Sequence, residues 1–176
     1  MAFLDNLKNI NTFIFDIDGV LTDGTITVTE SGEYLRTFNI KDGYAMQLAV
    51  KKGYKICIIS GAKGSSLEAR FSNLGIQDFY LGISNKLPVY HNYLLQNNIN
   101  SSSVLYMGDD VPDKEIMKEV GIATCPNDAV AEIKAISHFI SPFNGGKTAV
   151  RDIIEKVMLV QGTWHDEHPS AAASAI

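Results

Sequence analysis

Cysteine is nearly absent from this chain: Cys57 and Cys125 are the two in 176 residues, each in an apolar run, and they form no C-x-x-C pair. The reading is two buried free thiols in a reducing compartment rather than a disulfide framework. Long apolar runs are missing as well, so nothing in the sequence spans a bilayer. The start, Met1-Ala2-Phe3-Leu4-Asp5-Asn6, has neither a basic segment nor an extended apolar one, so no secretory leader is expected and the cytoplasm is the expected location. Positive charge is in short supply: 15 Lys and Arg against 20 Asp and Glu give a net charge of -5. That balance does not favour nucleic acid or an anionic membrane as partner, although a phosphate can still be held by a metal ion and a few fixed cations. No internal repeat and no low-complexity linker interrupts the chain.

What is present starts with Phe13-Ile14-Phe15-Asp16-Ile17-Asp18-Gly19-Val20-Leu21-Thr22-Asp23-Gly24. An apolar run reads as a buried strand and ends in two carboxylates one residue apart, then a glycine that lets the backbone turn. An N-capping Asp followed by a turn is the plainer explanation. Against it, Asp16, Asp18 and Asp23 crowd like charges that call for a cation, and a second acidic group follows at Gly108-Asp109-Asp110 with Asp113 beyond.

Strands and helices alternate along the chain. Thr25-Ile26-Thr27-Val28 and Tyr34-Leu35-Arg36-Thr37-Phe38 alternate around Ser31-Gly32 and predict a β-hairpin within residues 24–40. A helix is expected over 42–52, a strand over 54–59 ending at Ser60-Gly61, a helix over 65–74 and a short strand at 79–81. Lys86 and Pro88 open another helix, Val104 to Met107 is a strand, and Pro112 to Val120 a helix. Strand 121–125, helix 129–136, strand 138–140 and a helix from Gly145-Gly146-Lys147 to about Val160 complete the series. The pattern predicts an α/β domain over 1–162 with a doubly wound, mainly parallel sheet, and a mobile tail over 163–176. In such a sheet the residues just after each strand share one rim. Asp16 and Asp18, Ser60 and Gly61, and Asp109 and Asp110 are then neighbours, with Lys86 close by.

These residue types suit phosphoryl transfer. Asp16 can attack phosphorus, and Asp18 can protonate the leaving oxygen and later deprotonate water. Mg²⁺ is the natural counter-ion, satisfied by one or two carboxylates plus phosphate and water. Asp109 is the best second carboxylate ligand, and Asp110 or Asp113 a further ligand or a support behind it. Ser60 and the amides around Gly61 can hold phosphate oxygens, while Lys86 supplies a fixed positive charge.

Asp16-Ile17-Asp18-Gly19, Ser60, Lys86 and Gly108-Asp109-Asp110-Val111-Pro112-Asp113 resemble, in order, the four motifs of the haloacid dehalogenase superfamily. The resemblance implies Asp16 as nucleophile, Asp18 as acid/base, and Mg²⁺ held by Asp16, the Asp18 carbonyl and Asp109. A closer likeness runs from about residue 12 to 162. Gly19-Val20-Leu21-Thr22-Asp23-Gly24, Phe38-Asn39-Ile40-Lys41-Asp42-Gly43-Tyr44, Ser84-Asn85-Lys86 and Gly145-Gly146-Lys147-Thr148-Ala149-Val150-Arg151 resemble the 3-deoxy-D-manno-octulosonate 8-phosphate (KDO 8-phosphate) phosphatases. That family is Mg²⁺-dependent, lacks a large cap, forms homotetramers, and releases KDO for lipopolysaccharide synthesis. The short insertion at 24–40 agrees with a capless member. The sequence departs from it at Ser60-Gly61-Ala62-Lys63, where the family carries Arg in place of Ala62. Relatives acting on nine-carbon sialic-type acid 9-phosphates also lack that Arg, so the reaction is better defined than the sugar.

Other residues divide between functional and plain readings. Lys63, Lys41 and Arg151 are candidate substrate contacts, with helix capping and a surface ion pair as the alternatives for the last two. Gly145-Gly146 could form an anion nest or merely lead into a helix. His165-Asp166-Glu167-His168 has metal-ligand residue types but reads as a solvated segment. A non-catalytic regulatory subunit would not need Asp16, Asp18, Lys86 and Asp109 together, and a mutase would need a larger cap to exclude water.

Overall fold

Thr12–Phe15 (β1) is buried at all four positions, which requires cover on both faces. The computed structural model describes residues 2–165. The same burial holds for Val104–Met107 (β6) and Ile122–Cys125 (β7), and nearly so for Lys55–Ile59 (β4). With Asp78–Tyr80 (β5) and Phe139–Ile140 (β8) they form a parallel six-stranded sheet of order β5-β4-β1-β6-β7-β8. Alternate side chains of β1 feed different cores. Phe13 and Phe15 pack with Ala2–Leu7 (α1), Ile40–Lys51 (α2), Ser65–Asn73 (α3) and Ala149–Val160 (α7). Ile14 packs on the other face with Lys86–Asn97 (α4), Lys114–Met117 (α5) and Ala131–Ile136 (α6). The chain runs outward from β1 through β4 to β5, then returns to start β6 on the other side of β1. The strand order therefore reverses at β1, where open α/β sheets leave a crevice at their carboxyl ends.

Several elements differ from expectation for identifiable reasons. The hairpin is reduced to Thr27–Val28 (β2) and Tyr34–Leu35 (β3), because no layer covers it. Phe38, expected in its second strand, leaves the ribbon and meets Phe71 edge-on at 6.3 Å. Helix α2 starts at Ile40, since Asn39 caps it by accepting from Lys41 N. The helix expected from Pro112 is a short turn over Val111–Asp113 followed by α5, because Asp110 and Asp113 form a capping box there. Helix α7 starts at Ala149 rather than after the glycines, which are occupied elsewhere. Gly146 N donates to Val20 O at 2.9 Å, and a Cβ on Gly145 would stand 1.9 Å from Gly19 O. Gly145-Gly146 thus buttresses the loop that carries the first two carboxylates. The buried Asp42 carboxylate accepts from Thr148 N (3.2 Å) and Arg151 N (2.7 Å), tying α2 to the start of α7. Helix α1 was not expected; Gln161 Nε2 donates to Leu7 O and Ile10 O and holds its end against α7. Of the tail, only 163–165 belong to the described residues; the rest of the segment expected to be mobile lies outside them. No helix among the described residues is long and apolar enough to cross a membrane.

Candidate active site

Asp16 is the first residue beyond β1, and its backbone stays laced to β6 through Asp16 N and Met107 O. Its Oδ1 accepts from Ile17 N at 2.7 Å, and its Oδ2 lies 2.8 Å from Lys86 Nζ. Gly19, at φ +84°, turns the chain past Asp109; a Cβ there would come within 2.0 Å of Asp109 Oδ2. Ser60 follows β4. Its backbone is tied to the loop after β5 by Ile83 N donating to Ser60 O, with Gly82 N donating to Ala62 O. That lacing brings the Ser60-Gly61-Ala62 turn beside Ser84 and the start of α4. A cavity of about 380 Å³ results, and it brings together Asp16, Asp18, Ser60, Gly61, Lys86 and Asp109.

Behind the cavity is a buried polar network. Lys86 Nζ donates to Asp113 Oδ1 at 2.6 Å, and Tyr106 Oη donates to the same oxygen at 2.6 Å. Asp113 Oδ2 accepts from Asp109 N at 3.0 Å. Asp113 is thus spent on orienting Lys86 and the Asp109 backbone. Asp110 also borders the cavity, exposed, and its side chain accepts from Val111 N at 2.7 Å. Asp23 is exposed and bonded to Thr25, so the first cluster is Asp16 with Asp109 and Asp113 instead.

Negative charge outweighs positive in this cluster. Burial raises the Asp16 carboxyl above its usual range, the Asp113 charge adds to the rise, and Lys86 and Ser60 oppose it. Burial also pushes Asp109 up to about 8, with Asp113, Asp16 and Asp110 contributing in the same direction. Burial alone would lower Lys86, but the Asp113 and Asp16 charges outweigh it and leave its ammonium held above the ordinary lysine value. Asp109 Oδ1 is buried without a hydrogen-bond partner. Carboxylate oxygens of Asp16, Asp109 and Asp113 lie within 4.8 Å of one another. An orphaned carboxyl oxygen in an acidic cluster served by one lysine fits a hard divalent cation.

Three sequence candidates stand elsewhere. Lys63 is exposed and lays its stem over Gly82. Lys41 and Arg151 border a second, larger hollow of about 550 Å³ that contains none of Asp16, Asp18 or Asp109. The Arg151 guanidinium packs on Trp164 and Tyr44 and pairs with Glu155. Two residues at the centre were missed: Tyr106, hidden in a strand that reads as plain core, and Arg36, whose Nε and Nη2 reach Asp18 Oδ1 and Oδ2 at 2.7 and 3.0 Å.

A parallel sheet of this order, with carboxylates after β1 and β6 and a lysine opening α4, defines the class: the haloacid dehalogenase fold. No family model matches the chain. The chain is 35% identical over 158 residues to the 3-deoxy-D-manno-octulosonate 8-phosphate phosphatase KdsC of Yersinia pestis, spanning 90% of this chain and 84% of that one. The same enzyme of Escherichia coli strain K12 is 36% identical over 155 residues, 88% of this chain and 82% of its own. Among solved structures, the KDO 8-phosphate phosphatase of Moraxella catarrhalis, in complex with magnesium, phosphate and KDO, superposes with a TM-score of 0.89. Its identity is 28%, over 93% of this chain and 94% of that chain. The chain therefore belongs to the KDO 8-phosphate phosphatase family of the haloacid dehalogenase superfamily.

Proposed function

We propose that this protein is a cytoplasmic, Mg²⁺-dependent phosphatase that cleaves KDO 8-phosphate to KDO and phosphate through an aspartyl-phosphate on Asp16, a step toward lipopolysaccharide. The observation that carries the reading is the close-set Asp16, Asp109 and Asp113 cluster with a single lysine and an orphaned, buried Asp109 oxygen. Mg²⁺ would be held by Asp16, Asp109 and the Asp18 carbonyl, and it would neutralise the repulsion between carboxylate and phosphate. The Asp16 carboxylate forms a bond to phosphorus as the ester P–O bond breaks, and Asp18 gives its proton to the departing alkoxide. Water then attacks the phosphoryl group, Asp18 takes the proton, and Asp16 is regenerated. Ser60, Gly61 and Lys86 hold the phosphoryl oxygens. Lys63 is retained as a substrate contact from the rim. A contact from Lys41 or Arg151 would be made across a subunit boundary, because both face another hollow of their own chain.

Ala62 favours a second reading. It borders the catalytic cavity where the family has Arg, and it leaves no guanidinium for the sugar carboxylate. A nine-carbon sialic-type acid 9-phosphate is therefore the alternative substrate. A phosphate-release screen over sugar phosphates and sugar-acid phosphates tests both; KDO 8-phosphate is expected to give the highest kcat/KM. A neutral sugar phosphate preferred over every sugar-acid phosphate would overturn the substrate class.

Chelator is expected to abolish turnover and Mg²⁺ to restore it, with Ca²⁺ a poor substitute because it prefers more ligands at longer distances. The cation needs Asp109 as carboxylate, and that group protonates at about 8 in the metal-free protein. Metal binding then expels a proton, so apparent Mg²⁺ affinity should weaken by about tenfold for each pH unit below that value. Calorimetric titration at several pH values measures this; full turnover in chelator would refute the metal assignment.

The hairpin supports assembly into a homotetramer. Ile26, Val28 and Tyr34, on one face of the ribbon by its register, are 42, 61 and 59% exposed, and Leu35 on the other face is 53% exposed, apolar side chains that copies of the chain would cover. Val28→Asp with Leu35→Asp should yield monomers by light scattering and reduce kcat/KM. Phe38 is unsuited to this test, since it packs on Phe71 in the core. A wild-type monomer at micromolar concentration with full activity would refute the assembly.

A further inference from the structure

Almost the whole excursion between the acidic loop and α2 faces solvent. From Asp23 to Thr37 every residue is exposed except Thr29 and Arg36. The Arg36 side chain is only 6% exposed, and it is aimed not at a core but at the Asp18 carboxylate. Both carboxylate oxygens are engaged, Oδ1 by Nε at 2.7 Å and Oδ2 by Nη2 at 3.0 Å. Hydrophobic burial does not account for this arginine, because its neighbours Tyr34, Leu35 and Thr37 are exposed.

We propose that Arg36 is a positioning residue: its two-pronged grip fixes the Asp18 carboxylate in the orientation from which it exchanges protons with the phosphoester, so that the hairpin completes the chemistry of the site. This rests on Asp18 being the proton-transfer group. Asp16 is held by the Ile17 amide and Lys86, and Asp18 is held by a residue that returns from the insertion. A carboxylate can rotate about two side-chain bonds, and only a narrow range of orientations faces a leaving oxygen. A planar guanidinium that binds both oxygens restrains these rotations, while each oxygen keeps a lone pair for the proton. Lysine would supply charge without the planar fork. Asp18 also borders the cavity, with its side chain 31% exposed, so the held carboxylate still faces the substrate space.

The test is made on the full chain with Mg²⁺, using Arg36→Ala and Arg36→Lys and two kinds of ester. An alkyl phosphoester, such as a sugar-acid phosphate or glycerol phosphate, releases an alkoxide that must be protonated. p-Nitrophenyl phosphate releases a phenolate that leaves without a proton. kcat/KM reports the steps through phosphoryl transfer to Asp16. Misorienting the acid should lower it about 30- to 100-fold for the alkyl ester and less than about threefold for the aryl ester. Arg36→Lys should recover only part of the loss. In an Asp18→Asn background, Arg36→Ala should add nothing further. An equal loss on both esters, or an undiminished loss in the Asp18→Asn background, would overturn the proposal and leave Arg36 as a hairpin anchor or a direct substrate contact. A thermal midpoint close to wild type separates these outcomes from misfolding, and the Lys variant supplies the comparison if the Ala variant is unstable. Wild-type protein active on glycerol phosphate and p-nitrophenyl phosphate but on no sugar-acid phosphate would refute the substrate reading alone, because the ester comparison would still report on Arg36.

Discussion

Asp16→Asn should fold normally and lose phosphate release by about four orders of magnitude or more, the scale seen when a covalent nucleophile is removed. An amide oxygen cannot replace a carboxylate as nucleophile toward phosphorus. The fold should tolerate the change because the amide keeps an oxygen for the Ile17 N–H, which now donates to Asp16 Oδ1 at 2.7 Å. The substitution also removes one negative charge from a cluster in which burial and Asp113 already hold Asp16 above the usual carboxylate range. Lys86 keeps Asp113 as partner at 2.6 Å. A thermal midpoint equal to or above wild type is therefore expected beside the loss of turnover. Phosphate release near the wild-type rate would mean that no aspartyl-phosphate forms at this position. Rapid acid quench of the wild type followed by mass analysis supplies the positive counterpart, one phosphoryl group on the peptide containing Asp16.

What could be read from the sequence was whatever depends on neighbours in the chain. Strands β1, β4, β6 and β7 were legible because burial on both faces demands unbroken apolar runs, as in Phe13-Ile14-Phe15 and Val104-Leu105-Tyr106-Met107. Their parallel direction was legible from the helices between them, and the order they take brings Asp16, Asp18, Ser60, Lys86 and Asp109 to one cavity. Contacts between residues distant in sequence were not legible. Asp42 reaches Arg151 N from 109 residues away in the chain, and nothing around Asp42 distinguishes it from an ordinary first-turn acid. Tyr106 looks like any strand aromatic until its hydroxyl is seen on Asp113. Arg36 occupies one position in an alternating hairpin, where charge reads as solvated. Gly145-Gly146 read as an anion nest or as a lead into a helix, and neither reading foretold that its lack of side chains serves the close approach to Gly19 and Thr22. Helix limits were the other weak point, since α5 begins behind a capping box of its own neighbours Asp110 and Asp113, and α7 begins where the distant Asp42 carboxylate claims the Thr148 and Arg151 amides.

Lys86→Met should be costly in two separate ways. The Lys86 side chain is 4% exposed and bridges Asp16 Oδ2 at 2.8 Å and Asp113 Oδ1 at 2.6 Å. Removing it from metal-free protein leaves carboxylates buried together without a cation, and breaking a buried pair in this way costs about 3–5 kcal/mol. Denaturant unfolding in chelator should show a loss of that order, and Mg²⁺ should return part of it by supplying positive charge to the same cluster. Turnover should fall by about 10²- to 10³-fold even with saturating Mg²⁺, the usual effect of deleting one preorganised donor to a developing charge. Adding Asp113→Asn separates the two costs. The amide can keep its oxygen on Asp109 N and donate its NH2 to Tyr106 Oη, and one of the two uncompensated buried charges is gone, so part of the stability should return while turnover stays low. If the double variant recovered turnover as well, Lys86 would be a counter-ion for Asp113 and not a contact of the phosphoryl group. If Lys86→Met kept full stability in chelator, the buried carboxylates would have to be carrying protons instead of relying on the lysine.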